Sequence, residues 1–258
     1  MKINHFIYSL LFIPKCIGCG SRYNIFSDKG IREDVFCLKC RADWELEKLE
    51  ACSGCGVAAI DCTCCPSVLD KKYIDCISVV KFGRTRCADR LIYTLKRRRL
   101  QSAFDFAADE LAKRWISYCS RTLEDLSGAV FTNVPRSYKS ILNYGFDHAE
   151  LLARTVAEKV DGKYENIIFR TGKSKDQKKL DQEKRVKNVE GKFLISEDFD
   201  LKGNTVVLVD DVVTTGSTAF ACAKLLRGSG VKKVIVLSIA RAPIKRVARR
   251  TRESRIKR

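Results

Sequence analysis

The sequence predicts an α/β protein: a parallel sheet flanked by helices, with a small N-terminal cysteine-rich zinc-ribbon domain in front of it. Three observations carry this prediction. Nine of the 13 cysteines lie between Cys16 and Cys65, mostly in close pairs. After Lys72, short β-branched runs alternate with helical spacing, the pattern of strand–helix–strand units. One of those runs ends in two adjacent acids and a Thr-Thr-Gly-Ser-Thr turn that opens a helix.

Composition narrows the class. At 258 residues and 45% hydrophobic, the chain can bury a core and is not a disordered polyelectrolyte. The longest early apolar stretch, 6–13, has about eight residues, against roughly 20 for a membrane span. No secretory cleavage pattern is visible, so a cytoplasmic chain without a membrane span is expected, with its cysteines reduced. The net charge is +18. It is concentrated in Lys96-Arg97-Arg98-Arg99 and in residues 241–258, which hold nine basic residues against Glu253 alone.

The cysteines form two sets. Cys16, Cys19, Cys37 and Cys40 read C-x2-C, a gap, then C-x2-C, the spacing of a structural zinc site. Cys52, Cys55 and Cys62 begin a second set, closed by Cys65 if C-x2-C is restored, or by Cys64. Four thiolates around each Zn²⁺ leave no open position, so the metal is structural. Cys76, Cys87, Cys119 and Cys222 lie singly among apolar residues and read as small core residues.

Residues 16–72 show little periodicity, as suits a metal-stapled module with too small a core of its own. The reading places this double ribbon at 1–72, the α/β domain at 73–242 and a basic tail at 243–258. Within the α/β domain, 77–82 is a strand. Residues 87–98 and 102–122 are helices, the second with Phe104, Ala107, Ala108, Leu111, Trp115 and Ile116 on one side. Residues 129–134 form a strand, 147–160 a helix and 166–169 a short strand. Residues 170–192 are highly charged and read as a long exposed loop, a candidate lid. Residues 205–209 are a buried strand, 216–227 a helix and 233–240 another strand.

The most informative stretch runs from Val206 to Thr218. A buried strand leads to Asp210 and Asp211. The turn Thr214-Thr215-Gly216-Ser217-Thr218 then offers hydroxyls and free N–H groups at a helix N-terminus, an anion site. Carboxylates beside a phosphate make sense if they face sugar hydroxyls or a Mg²⁺. The block therefore describes a ligand with a phosphate and a hydroxylated sugar.

That 13-residue block resembles the PRPP-binding motif of type I phosphoribosyltransferases. With the two cysteine sets, the whole chain resembles the ComF family, a double zinc ribbon followed by a type I phosphoribosyltransferase fold. The resemblance implies pentosyl transfer from PRPP with Mg²⁺. It implies 5'-phosphate contacts from Thr214 to Thr218, and Asp210, Asp211, Lys96 and Arg185 as catalytic residues. Val134, Pro135, Arg136 and Lys139 match a pyrophosphate loop, and Arg170, Gln177 and Asn188 a mobile loop. The chain departs from the family at Tyr144-Gly145-Phe146-Asp147-His148, where an Arg, an Asn and a Gln are replaced. Those changes are expected to lower the positive potential at the pyrophosphate loop, with Arg136 and Lys139 left to compensate. His148 reads as a helix-start residue beside the site.

The family's association with DNA uptake in natural competence implies single-stranded DNA as a partner, with a competence helicase or recombination proteins beside it. Arg97, Arg98, Arg99, Lys245, Arg246, Arg249 and Arg250 are the candidate contacts. Two other readings stay open. One is a non-catalytic PRPP-sensing DNA-binding protein, the other a nucleobase phosphoribosyltransferase of purine or pyrimidine salvage.

Overall fold

A computed structural model describes residues 14–23, 26–27, 30–31, 34–64, 74–83, 86–171, 186–189, 193–196 and 198–243. The N-terminal part holds two short antiparallel strands, β1 (Phe26–Ser27) and β2 (Gly30–Ile31), and a helix, α1 (Leu38–Leu49). Then follow β3 (Ile74–Lys81), α2 (Arg86–Arg97), α3 (Gln101–Cys119) and β4 (Val130–Asn133). Next come α4 (Tyr138–Tyr144), α5 (His148–Lys159), β5 (Lys163–Tyr164), β6 (Ile168–Arg170), β7 (Val186–Val189) and β8 (Phe193–Ser196). The chain continues through β9 (Thr205–Val213), α6 (Ser217–Gly228) and β10 (Lys233–Arg241).

Five strands form one wholly parallel sheet in the order β3-β10-β9-β4-β5. Both faces are covered, which is why the central strands are almost continuously β-branched. Val207, Val209, Ile235 and Leu237 point into a core shared with α2, α3 and α5. Val206, Leu208, Val234 and Val236 point into a second core under α6. The alternation follows from the two-residue period of a strand.

The structure adds α4, β5 and β8, which periodicity does not predict, leaves Ile116 exposed rather than on the packed side of α3, and differs in four further places. The run 166–169 does not join the parallel sheet. As β6 it pairs antiparallel with β8 in a separate three-stranded sheet, β6-β8-β7. The stretch 170–192 is not wholly a loop, because Val186–Val189 is a strand against β8. Strand β9 runs on to Val213, so Asp210 and Asp211 lie inside it rather than after it. The N-terminal module contains α1, a 12-residue helix that periodicity does not reveal. Its buried lane is Cys40, Trp44 and Glu47, while Leu38, Leu46 and Leu49 are exposed. Hydrophobicity therefore points away from the face that packs.

That packed face joins the module to the sheet. Phe36 and Trp44 belong to the core that α3 shares. The rings of Phe36, Trp44 and Phe106 lie 5.1–5.8 Å apart, a three-ring cluster. Among the described residues, no helix is long and apolar enough to cross a membrane.

Candidate functional site

The site lies at the carboxyl ends of β4 and β9, where open α/β sheets bind ligands. Strand period sends the two acids to opposite sides. Asp210 follows Val206 and Leu208 toward α6, and Asp211 follows Val207 and Val209 toward α2 and α5. Both side chains are buried.

Three basic groups converge on Asp211. Lys96 Nζ and His148 Nε2 are each 3.0 Å from Oδ2, and an Arg136 amino group is 2.9 Å from Oδ1. The same Arg136 nitrogen lies 3.8 Å from Asp210 Oδ1. Burial alone would raise the pKa of Asp211, but the His148 bond and the charges of Arg136 and Lys96 hold it below the usual carboxylate range. Asp210 goes the other way. Burial and the neighbouring negative charge of Asp211 push it up, to about 8. The pair is thus one firmly ionised acid and one that prefers its proton.

After β9 the chain turns at 214–216. Gly216 has φ +76° and is the N-cap of α6, a left-handed position that glycine occupies without strain. Thr214, Thr215, Ser217 and Thr218 are exposed around it, with Thr215 Oγ1 2.8 Å from Ser217 Oγ. These exposed hydroxyls gather at the N-terminus of α6, where Ser217 N–H meets Thr215 Oγ1 at 3.3 Å, the setting of an anion cradle.

Val134 and Pro135 are buried at the end of β4, Val134 N–H donating to Val209 at 3.0 Å. They hold Arg136 at the acids. Lys139 stands exposed on α4, and among the described residues it makes no ion pair with the acids of the site. Arg170 is exposed at the end of β6 with its guanidinium over the Phe193 ring. Asn188 lies in β7, opposite Leu194. Gln177, Arg185, Cys65, Lys245, Arg246, Arg249 and Arg250 lie outside the described residues.

Two departures from the family pattern acquire reasons. Asp147 is the N-cap of α5, accepting from Ala149 and Glu150 N–H at 2.9 and 3.2 Å, so its charge serves the helix. It also accepts from Arg136 N–H at 3.3 Å and fixes the loop. His148 is more than a helix-start residue. It is buried, and its Nε2 stands between Asp211 and Arg136. One ring nitrogen cannot donate to the acid and accept from the guanidinium together, so its tautomer decides the contact. No sequence signal beyond the position after an N-cap Asp pointed to this role.

The cysteines form two clusters: Cys16, Cys19, Cys37 and Cys40, then Cys52, Cys55, Cys62 and Cys64. All sulfurs within each lie within 4.8 Å of one another. A tetrahedral zinc thiolate with bonds of about 2.3 Å places its sulfurs about 3.8 Å apart. The Cys19–Cys37 and Cys55–Cys62 sulfurs are 3.8 and 3.4 Å apart, so both clusters fit zinc. Among the described residues the fourth sulfur of the second cluster is that of Cys64; Cys65, which C-x2-C spacing favours, lies outside them. The chain curls back after Cys62, Cys64 N–H lying 3.3 Å from the Cys62 sulfur. Gly18 is required for packing at the first cluster, since a Cβ there would lie 2.9 Å from Cys40 Sγ. Cys87, read as a core residue, is buried beside that cluster.

Residues 141–257 match the family described as phosphoribosyl transferase domain. The chain is therefore a protein with a phosphoribosyltransferase domain behind two tetracysteine clusters. It is a homologue of competence protein F of Haemophilus influenzae, 26% identical over 221 residues, which are 80% of this chain and 96% of the relative. A shorter stretch is 53% identical over 45 residues to adenine phosphoribosyltransferase of Mycoplasmopsis agalactiae, covering 17% of this chain and 26% of that protein. The adenine phosphoribosyltransferase structure from Thermoanaerobacter pseudethanolicus aligns with 55% of this chain and 81% of its own, at 21% identity and TM-score 0.34.

Proposed function

We propose that the chain binds PRPP with Mg²⁺ between β4 and β9 and transfers its phosphoribosyl group. The observation that carries this is Asp210-Asp211 at the end of a buried parallel strand, followed by a left-handed Gly216 and a hydroxyl-rich helix start, with Arg136 and Lys96 facing the acids. Thr214 to Thr218 receive the 5'-phosphate. Asp210 and Asp211 take the ribose hydroxyls and Mg²⁺, which neutralises the leaving diphosphate when bound. The donor set fits such a hard cation: two adjacent buried carboxylates offer oxygen ligands, and a divalent charge would relieve the repulsion between them. Lys96, 32% exposed, is free to leave Asp211 for the diphosphate. Displacement at the anomeric carbon then needs positioning and charge more than acid–base chemistry.

Calorimetric titration with Mg-PRPP tests this. The wild-type chain is expected to bind, and the Asp210→Asn, Asp211→Asn double variant to lose at least about 100-fold in affinity, two charge-assisted contacts of about 1.5–3 kcal/mol each. Absence of PRPP binding by the wild-type chain overturns the reading. Consumption of PRPP across a panel of bases separates the enzyme from a PRPP sensor.

A second reading, contact with single-stranded DNA in competence, has its own observation. The Arg97 guanidinium lies 4.6 Å from the Tyr93 ring and 5.9 Å from the Tyr144 ring. Both tyrosines are exposed, and Arg98 and Arg99 stand exposed beside them. Stacked aromatics within a basic run are the means of sequence-tolerant strand binding. Tyr93→Ala and Tyr144→Ala are expected to weaken oligonucleotide binding by about 1–3 kcal/mol each with an unchanged salt slope. Replacing Arg97, Arg98 and Arg99 with Ala is expected to flatten that slope by about two. Equal salt slopes in both variants would count against the surface.

A further inference from the structure

Arg114 and Arg241 are among the largest fully buried side chains, at 0% and 2% exposure. Buried arginines are ordinarily paired with carboxylates. Among the described residues, neither makes an ion pair with Asp or Glu. The acid whose field reaches Arg114, Asp61, is already engaged by Arg121. Both arginines instead turn toward the second cysteine cluster. Arg114 donates to the Cys62 carbonyl at 3.0 Å, from α3. Arg241 donates to the Cys64 carbonyl at 2.9 Å, from the last residue of β10. Nε and NH1 of Arg114, and Nε and NH2 of Arg241, meet no protein oxygen. The charge of Arg241 acts on Cys52 and Cys62, two sulfurs of that same cluster.

The charges balance only with metal. Four thiolates and one divalent ion make a centre of net charge −2, and the two guanidinium groups supply +2. Four protonated thiols would leave two buried cations with no anion.

We propose that Arg114 and Arg241 are the counter-charges of a zinc tetrathiolate at Cys52, Cys55, Cys62 and Cys64, so that the loaded metal centre docks the second knuckle on the phosphoribosyltransferase domain. The ion then acts at a distance from chemistry. Arg241 pairs in register with Val213, the residue before Thr214, and Ala242 N–H donates to the Val213 carbonyl at 2.8 Å. Docking of the knuckle is thereby tied to the strand end from which the anion cradle starts.

The test measures metal retention by the full chain. Zinc content is determined first, and a value of two per chain is expected. Release to a chromogenic chelator is then followed for wild type, Arg114→Met, Arg241→Met and the corresponding Lys variants. In each Met variant one zinc of the two is expected to leave at least about tenfold faster and the other at the wild-type rate. The Lys variants, which keep the charge, are expected to restore most of the retention. A purely packing role would make Met, the better volume match, the milder change. Wild-type release from folded Met variants, or Lys variants releasing as fast as Met, overturns the proposal, as does a zinc content below two. Should the Met variants fail to fold, the Lys pair decides alone, with near-wild-type retention in support and rapid loss of one zinc against.

Discussion

Asp210→Asn is expected to raise the melting temperature above neutral pH, whereas Asp211→Asn lowers it by about 10 °C. The two acids are neighbours in one strand, yet their environments are opposite. Asp211 is surrounded by Lys96, Arg136 and His148. Neutralising it leaves Lys96 and His148 without their anion and Arg136 with only the more distant Asp210, 3.8 Å away, and breaking a buried pair costs about 3–5 kcal/mol. At roughly 2–4 °C per kcal/mol for a chain of this size, that is about 10 °C. Asp210 carries a charge the fold disfavours, through burial and through Asp211. Its pKa is raised in the folded state, so its stabilising effect is complete below the ordinary carboxylate range and is lost as pH rises through about 8. The gain from Asp210→Asn is therefore absent near pH 4 and largest near pH 9. For Asp211, whose pKa is lowered, the sign reverses: its contribution is present at neutral pH and fades under acid. Thermal melts of both variants from pH 4 to 9 check this, and shifts of the same sign would falsify it. Asp210→Asn is also expected to weaken Mg-PRPP binding, a stability gain at the expense of function.

The central strands were legible because their two-sided burial leaves an unbroken β-branched run. The Thr214–Thr218 turn was legible because its glycine and hydroxyls have few other uses together. The cysteine sets are legible as spacing, whereas the contact of Cys64 with the second cluster depends on how the chain curls after Cys62. Helix α1 was hidden because its exposed leucines mask a buried lane of Cys40, Trp44 and Glu47. Asp147 and His148 looked like losses of positive potential. Only the fold shows that one caps α5 and the other reaches Asp211, 63 residues away in sequence. The family resemblance marks Lys96 as a catalytic residue, but its long-range contact with Asp211 is visible only in the fold.

Trp44→Ala is expected to destabilise the whole chain, not only the cysteine-rich module. Trp44 is fully buried, with ring centroids 5.8 Å from Phe36 and 5.5 Å from Phe106 of α3. Its indole N–H donates to Glu110 Oε2 at 2.9 Å. Glu110 is itself only 2% exposed and is held by Lys48 at 2.8 Å and Lys113 at 3.1 Å. Removing the ring opens a cavity worth about 3–5 kcal/mol, and losing a bond to a charged acceptor adds about 1.5–3 kcal/mol. The melting temperature is expected to fall by 10 °C or more, on the order of 2–4 °C per kcal/mol. Trp44→Phe keeps a ring against Phe36 and Phe106 but not the donor, and is expected to lose roughly a third of that. Because α1 and α3 share one core, calorimetry of the zinc-loaded wild type is expected to show one transition. In Trp44→Ala that single transition moves as a unit. Two transitions, with only the smaller displaced by the substitution, would mean that the cysteine-rich module folds on its own and that this core does not couple it to the sheet.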